Sequence, residues 1–288
     1  MFSTKAIWIK LCFKETAIDA ATLLMLRMLI AFPFYVIILL LGYKKWKGNI
    51  KNSHYLWAIG MGLLGYYMSS LFDFIGLQYV SAGIERIILF VYPTLAVIIN
   101  WLLFKVRITN RQWKAIGITY LGIGIAYWGE IHLIPNSPHF LFGSFMVLLC
   151  GITYAFYLVG TGKLVPTMGT SIYTSVAMIA ASIGIFVHYL IEKTASGHWQ
   201  NIYYTIPPNI VWYVVALAML ATVIPSFLLS AGMKRLGSNN LAIITSIGPV
   251  ATLFQANWIL GEAFTWQQLI GTALVILGVL LINRKAII

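Results

Sequence analysis

The sequence predicts an all-α membrane protein of ten transmembrane helices, arranged as two inverted repeats of five. Three observations carry this. Apolar runs of spanning length recur along the 288-residue chain, which is 60% hydrophobic and 9% charged, far from a soluble average. Its Lys and Arg residues sort to alternate loops. A weak self-similarity recurs at one constant spacing. The bilayer makes each span helical, because backbone groups must find partners within the chain and no alternating barrel pattern is present. No room remains for a sizeable soluble domain.

The elements follow in order. The first span is the stretch to about Phe13, with Lys5 and Lys10 inside it. Residues 18–41 form the second and carry Arg27 and Pro33. Residues 55–78 form the third, where Tyr66, Ser69, Ser70 and Asp73 share a face by three-four spacing. The fourth, 84–104, opens with Glu85 and Arg86 and contains Pro93; the fifth is 113–129. After the linker HLIPNSPHF come 140–162, 171–191, 209–231 with Pro225, 240–260 with Pro249, and 267–283. Trp46, Trp57, Trp113, Trp128, Trp199, Trp212 and Trp266 fall near span ends, as an aromatic belt requires.

The charges orient these spans. Thirteen Lys and Arg lie on one side, in GYKKWKGNIKNSH, FKVRITNRQWK, at Lys163, Lys234 and Arg235, and at Arg284 and Lys285. Lys10, Lys14 and Lys193 lie on the other. The bias places both termini in the cytoplasm and the protein in the cytoplasmic (inner) membrane. It also explains the net charge of +12 without nucleic acid.

At an offset of 156, Gly76 meets Gly232, Pro93 meets Pro249, Thr109 meets Thr265, Gln112 meets Gln268 and Gly122 meets Gly278. Five spans per repeat is odd, so the second repeat runs inverted. The expected units are 1–130, an external linker 131–139, and 140–288. Inverted repeats are a transporter architecture with a site near the midplane. Lys10-Leu11 also matches Lys163-Leu164. By that match roughly a dozen residues of a full first span are missing, and the expectation is a late start or truncated chain, with a naturally short helix as the alternative. No small-residue cleavage site marks a signal peptide.

FSTKAIWIKLCF followed by TLLMLRMLIAFPF resembles the first two helices of EamA-type transporters of the drug/metabolite transporter superfamily. GLQYVSAGIERIILFVYPTLAVIINWLL resembles their third-to-fourth helix region. ITSIGPVATLFQANWILGEAFTWQQLIGTALVILGVLL is similar to the close of their second repeat, with its Pro249 kink and Gly261-Glu262 turn. The resemblance covers essentially the whole chain. It implies ten helices in two inverted repeats, a central cavity lined in part by helix one, and alternating access. Members handle amino acids, drugs, nucleotide precursors and other metabolites, often as exporters.

Other motifs have plainer readings. GMGLLG lies inside an apolar helix, where small residues for close contact explain it better than a dinucleotide fingerprint. GTGKL fails the phosphate-loop pattern at Tyr157 and Leu164. The histidines His54, His132, His139, His188 and His198 form no ligand pair, and Cys12 and Cys150 lie in apolar helices. No metal, disulfide or cofactor is expected. With no nucleophile–base set, a membrane-embedded enzyme is disfavoured; a non-transporting sensor or assembly partner is the other alternative.

Charges inside spans are the strongest functional signal, since each costs about 2.5–3.5 kcal/mol on insertion scales unless it faces a cavity or partner. Arg27 lies about 13 Å into its span at 1.5 Å per residue, with Lys5 at comparable depth. An Asp73–Arg86 or Glu85–Arg27 bridge is expected at the outer end of spans three and four, as a latch or as a substrate and proton site. The substrate or coupling candidates are Arg27, Tyr66, Ser70, Asp73, Glu85, Arg86, Tyr154 and Asn257, with Pro93 and Pro249 as helix kinks. Spans six to ten carry almost no internal charge, which suits small amphipathic substrates, such as amino acids or drug-like compounds, better than polyanions. The expectation is a secondary transporter acting as an exporter, as monomer or homodimer, with the proton as a candidate coupling ion.

Overall fold

The computed structural model describes residues 4–16, 18–45, 50–133, 139–197, 208–232, 235 and 247–283. Trp46, Trp199, His198, Lys234, Thr245 and Ser246 lie outside these residues, as do Asn49 and Asn136. Among the described residues every regular element is helical. The elements are α1 (Lys5–Glu15), α2 (Ala20–Lys45), α3 (Asn52–Leu77), α4 (Ala82–Phe104), α5 (Asn110–Leu133), α6 (Phe140–Met168), α7 (Thr170–Ser196), α8 (Ile210–Gly232), α9 (Gly248–Gln255, continued by a π-turn over Ala256–Leu260) and α10 (Trp266–Asn283). Six of them, α2, α3, α4, α6, α7 and α8, are long and apolar enough to cross a membrane. Leu40, Leu56, Leu102 and Leu141 stand exposed on their outer faces, and Trp57, Trp113, Trp128, Trp212 and Trp266 are exposed near helix ends, as lipid-facing and interfacial residues are.

Local chemistry sets the boundaries. Asp19 starts α2, its carboxylate accepting from Thr22 N (3.1 Å) and Thr22 Oγ1 (2.6 Å). Ser81 caps α4 by accepting from Ile84 N at 3.2 Å. The expected kinks resolve differently from the sequence reading. Pro93 and Pro249 each stand in the first turn of a helical stretch, Tyr92–Phe104 and Gly248–Gln255, where the missing N–H removes no hydrogen bond. The irregularity in α4 comes just before, at Phe90–Val91.

Several details recur 156 residues apart. A π-turn over Leu63–Met68 in α3 matches one over Met219–Val223 in α8. Lys105, with φ 54°, ends α4 in the left-handed conformation that Gly261, with φ 71°, adopts after α9. Thr109 and Gln112 cap each other at the start of α5 as Thr265 and Gln268 do before α10, with backbone-to-carbonyl distances of 2.9 and 2.8 Å. Helices α5 and α10 pack along their length. A Cβ on Gly122 would lie 2.7 Å from the Gly271 carbonyl oxygen, and one on Gly278 would lie 2.8 Å from that of Ala115. The second contact is the first with both residues shifted by 156. Close backbone approach through small residues is how helices associate in lipid, where apolar burial between them gains little.

Two larger cores result. Ile9, Leu24, Met28, Phe74, Met178 and Leu217 join α1, α2, α3, α7 and α8. Ile84, Ile87, Val147, Leu253 and Val275 join α4, α6, α9 and α10. A polar cavity lies where they meet.

Candidate functional site

Six helices line this cavity. Lys5 comes from α1, Arg27 from α2, Tyr66, Ser69 and Ser70 from α3, Arg86 and Tyr92 from α4, Cys150 and Tyr154 from α6, and Thr222 and Ser226 from α8. Its volume is about 80 Å³, room for a few waters and well below the several hundred Å³ of a drug-sized site. The π-turn of α3 sits on the wall. Gly65 within it lets the backbone approach the Tyr157 ring, and a π-turn shifts the residues after it, Ser69, Ser70 and Asp73, relative to those before.

The charges pair otherwise than the sequence suggests. Asp73, fully buried, bridges Lys5 with Nζ 2.7 Å from Oδ2, not Arg86. Arg27 donates from Nη2 to Ser70 Oγ at 3.0 Å and lies over the Phe74 ring at 4.9 Å, not against Glu85. Glu85 is fully buried, and neither of its oxygens has a donor. Its carboxyl instead faces that of Asp73 within hydrogen-bonding reach, an arrangement that is satisfied when the two share a proton. Arg86 lies 5.7 Å from the Phe90 centroid and against Gly248, where a Cβ would fall 2.9 Å from its Nη2. A side chain at this position would push the guanidinium aside.

An aromatic wall faces the charges. Tyr92 and Tyr154 meet edge-to-face at 5.1 Å, and Tyr66 meets Tyr157 at 4.7 Å, with Tyr157 donating from its hydroxyl to that of Tyr66 at 3.2 Å. Opposite, Ser226 bonds Tyr35 at 3.0 Å and ties α2 to α8.

Of the expected candidates, Arg27, Tyr66, Ser70, Arg86 and Tyr154 line the cavity, while Asp73 and Glu85 lie behind Lys5 and the wall. Asn257 does not reach it: it is exposed in the π-turn of α9 and donates to the Glu262 carbonyl at 3.0 Å. Lys5 is the partner whose role the sequence left open. A second polar layer, at the turns of α1 away from the cavity, was also missed. There Lys10 Nζ lies 3.6 Å from Glu262 Oε1, Glu262 Oε2 accepts from Ala82 N at 2.9 Å, and Gln268 donates to Glu130. Its acids sit one residue past a helix-end glycine or at a predicted span end, positions that read as solvated loops.

The EamA-like transporter family model matches residues 1–128 and again 141–284. The uncharacterized transporter YcbK of Bacillus subtilis (strain 168) is 31% identical over 94% of this chain and 85% of its own. An uncharacterized transporter of Archaeoglobus fulgidus is 23% identical over 90% of this chain and 87% of its own. A solved crystal structure shares the fold at a TM-score of 0.60, with 16% identity over 97% of this chain and 94% of that one. The apolar helices, the buried polar cavity and these likenesses agree: this is a multi-pass membrane transporter rather than an enzyme, with a small-molecule substrate, and it belongs to the EamA-like transporter family.

Proposed function

We propose that the protein is a secondary transporter that exports small amphipathic metabolites across the cytoplasmic membrane by alternating access. The observation that carries this is the internal cavity, walled by helices of both halves of the chain and lined by charged and tyrosine side chains. Ten spans in two inverted repeats, residues 1–130 and 140–288 joined by 131–139, are the arrangement behind it. The recurrence of π-turns, left-handed helix ends, caps and helix contacts at one offset supports that arrangement, as does the doubled family match. Both termini lie in the cytoplasm on this reading, by the charge bias. The proton is the proposed coupling ion, because Asp73 and Glu85 form a buried carboxyl pair beside one lysine.

Flux of a metabolite panel into proteoliposomes, with and without a pH gradient, tests the reading. Uptake that is lost in Asp73→Asn supports it, and no flux for any compound, with no compound raising thermal stability, removes it. Cysteines placed at Asn136 and Asn49 test the orientation: an impermeant reagent should label the first in intact cells and spare the second.

A further inference from the structure

We propose that the cavity recognises the carboxylate of an organic monoanion, with Arg27 and Arg86 as its receptor and the tyrosine wall holding its apolar body. The inference rests on the cavity being the transport site and on its widening from the present volume of about 80 Å³ to admit a ligand.

The charge inventory carries it. Three cations line the cavity, Lys5, Arg27 and Arg86, and no acid does. Lys5 is matched by Asp73. The other nearby acid, Glu85, faces Asp73 and makes no ion pair with either arginine among the described residues. Even with both acids ionised the five groups keep one positive charge in excess, and with a proton shared between them they keep two. Arg27 and Arg86 are 3% and 8% exposed, and the Nε of each has no hydrogen-bond partner. Asp73 and Glu85 lie near enough to attract these arginines, but neither guanidinium has an ion pair among the described residues; a buried guanidinium without one is costly in a membrane interior, and an incoming anion lowers that cost.

The shape of the donors selects the anion. A guanidinium presents planar paired N–H groups that match a carboxylate bidentately. The helical stretches that begin at Tyr92 and Gly248 start beside these groups, Tyr92 on the cavity wall and Gly248 against Arg86. The N-terminal dipole end at Gly248 adds to the same positive field, while that at Tyr92 is offset by the C-terminal end of the preceding Ala82–Leu89 stretch. The wall opposite is Tyr66, Tyr92 and Tyr154 with Ala221 and Leu229, which suits an aromatic or branched apolar body. A substrate ammonium would meet three cations, so a plain carboxylate is preferred over an amine and over a zwitterion.

Thermal stability of the purified full chain tests this with matched sets: 3-phenylpropanoate, its amide and its amine, and 4-methylpentanoate, its amide and its amine. At least one carboxylate should bind about tenfold or more tighter than its amide, since hydrogen bonds to charged groups are the strong ones. The amines should give no shift. Arg27→Gln and Arg86→Gln should each cut carboxylate affinity about tenfold or more, and Arg86→Lys, which keeps the buried charge, should restore part of it. If each amide stabilises the wild-type protein as well as its carboxylate, or if no carboxylate does, the inference is overturned whatever the variants do. Flux separates it from the transport reading. A neutral compound carried independently of both arginines keeps the transporter and sinks the anion site. Arginine-dependent carboxylate binding without flux keeps the anion site and sinks the transport reading.

Discussion

Lys5 holds the buried charge cluster together. Its ammonium is the only cation within ion-pair distance of Asp73, a fully buried acid, among the described residues. Removing one member of such a pair leaves the other charge uncompensated, which costs about 3–5 kcal/mol. Lys5→Met should therefore destabilise the protein by that amount in chemical denaturation, and Asp73→Asn added to it should recover most of the loss. Equal loss in the single and double variants would show that the pair is not coupled. The partner was not legible from sequence for a geometric reason. Asp73 and Arg86 flank a short loop and so share a depth, but neighbours on a helix point about 100° apart. Glu85 therefore turns toward Asp73 and Arg86 toward the cavity. Outside the spans, burial raises the Asp19 carboxyl, but hydrogen bonds from Thr22 and Lys193 outweigh it and hold Asp19 below the usual carboxylate range. A lowered folded-state value means stability that is present above about pH 4, the unfolded value, and lost as pH falls through the folded one. Asp19→Asn should cost under about 1 kcal/mol at pH 7, because the pair is partly solvated. The variant and wild type should converge in melting temperature at acid pH.

The helices carry the repeat more clearly than the residues do. Thr-x-x-Gln caps and paired prolines have residue signatures, so the offset of 156 was legible there; the left-handed end at Lys105 was not, because a lysine gives no sign of it. The π-turns were not. At that offset LLGYYM and MLATV share only one residue, Leu64 with Leu220, and a π-turn is set by packing, here Gly65 under Tyr157, rather than by a motif. The short α9 turn misled in the same way: Asn257 was a candidate as a polar residue within an apolar span, and in its π-turn it is exposed and donates to the Glu262 carbonyl. The α5–α10 seam is where an element-level change should tell most. Gly271 meets the Gly122 backbone and Ala126, so Gly271→Val forces the helices apart. Overpacking of this kind costs about 1–3 kcal/mol, while Gly124→Val, at a site with open space around it, should cost much less. Similar losses at the two positions would show that the seam is not tightly packed.

At the scale of the molecule, α1 is the partition between two spaces. Its first residue, Lys5, lines the cavity, and Lys10 and Lys14 line a vestibule of about 610 Å³ with Asp19, Gln78 and Glu262. Eleven residues span about 16 Å, so one short helix touches both. On the proposed orientation the vestibule faces outside; the Lys10–Glu262 pair lies in its lining, and Glu262 also caps α4 at Ala82. The proposed alternating access would require these contacts to break when the cavity opens to the vestibule side. A pair that is about one-fifth exposed on each side contributes up to about 1 kcal/mol, a factor of about five in the population of the open state. Cys150 is a native reporter, since its thiol is buried and lines the cavity. With Cys12→Ala removing the other thiol, an impermeant thiol reagent added outside should modify Cys150 at least about five times faster in Lys10→Glu, where like charges face each other. Glu262→Ala should accelerate it further, because that change also uncaps α4. Arg107→Glu, at the opposite end of the span, should leave the rate unchanged. Equal rates in Lys10→Glu, Glu262→Ala and the parent would mean that this ion pair does not hold the outer side shut.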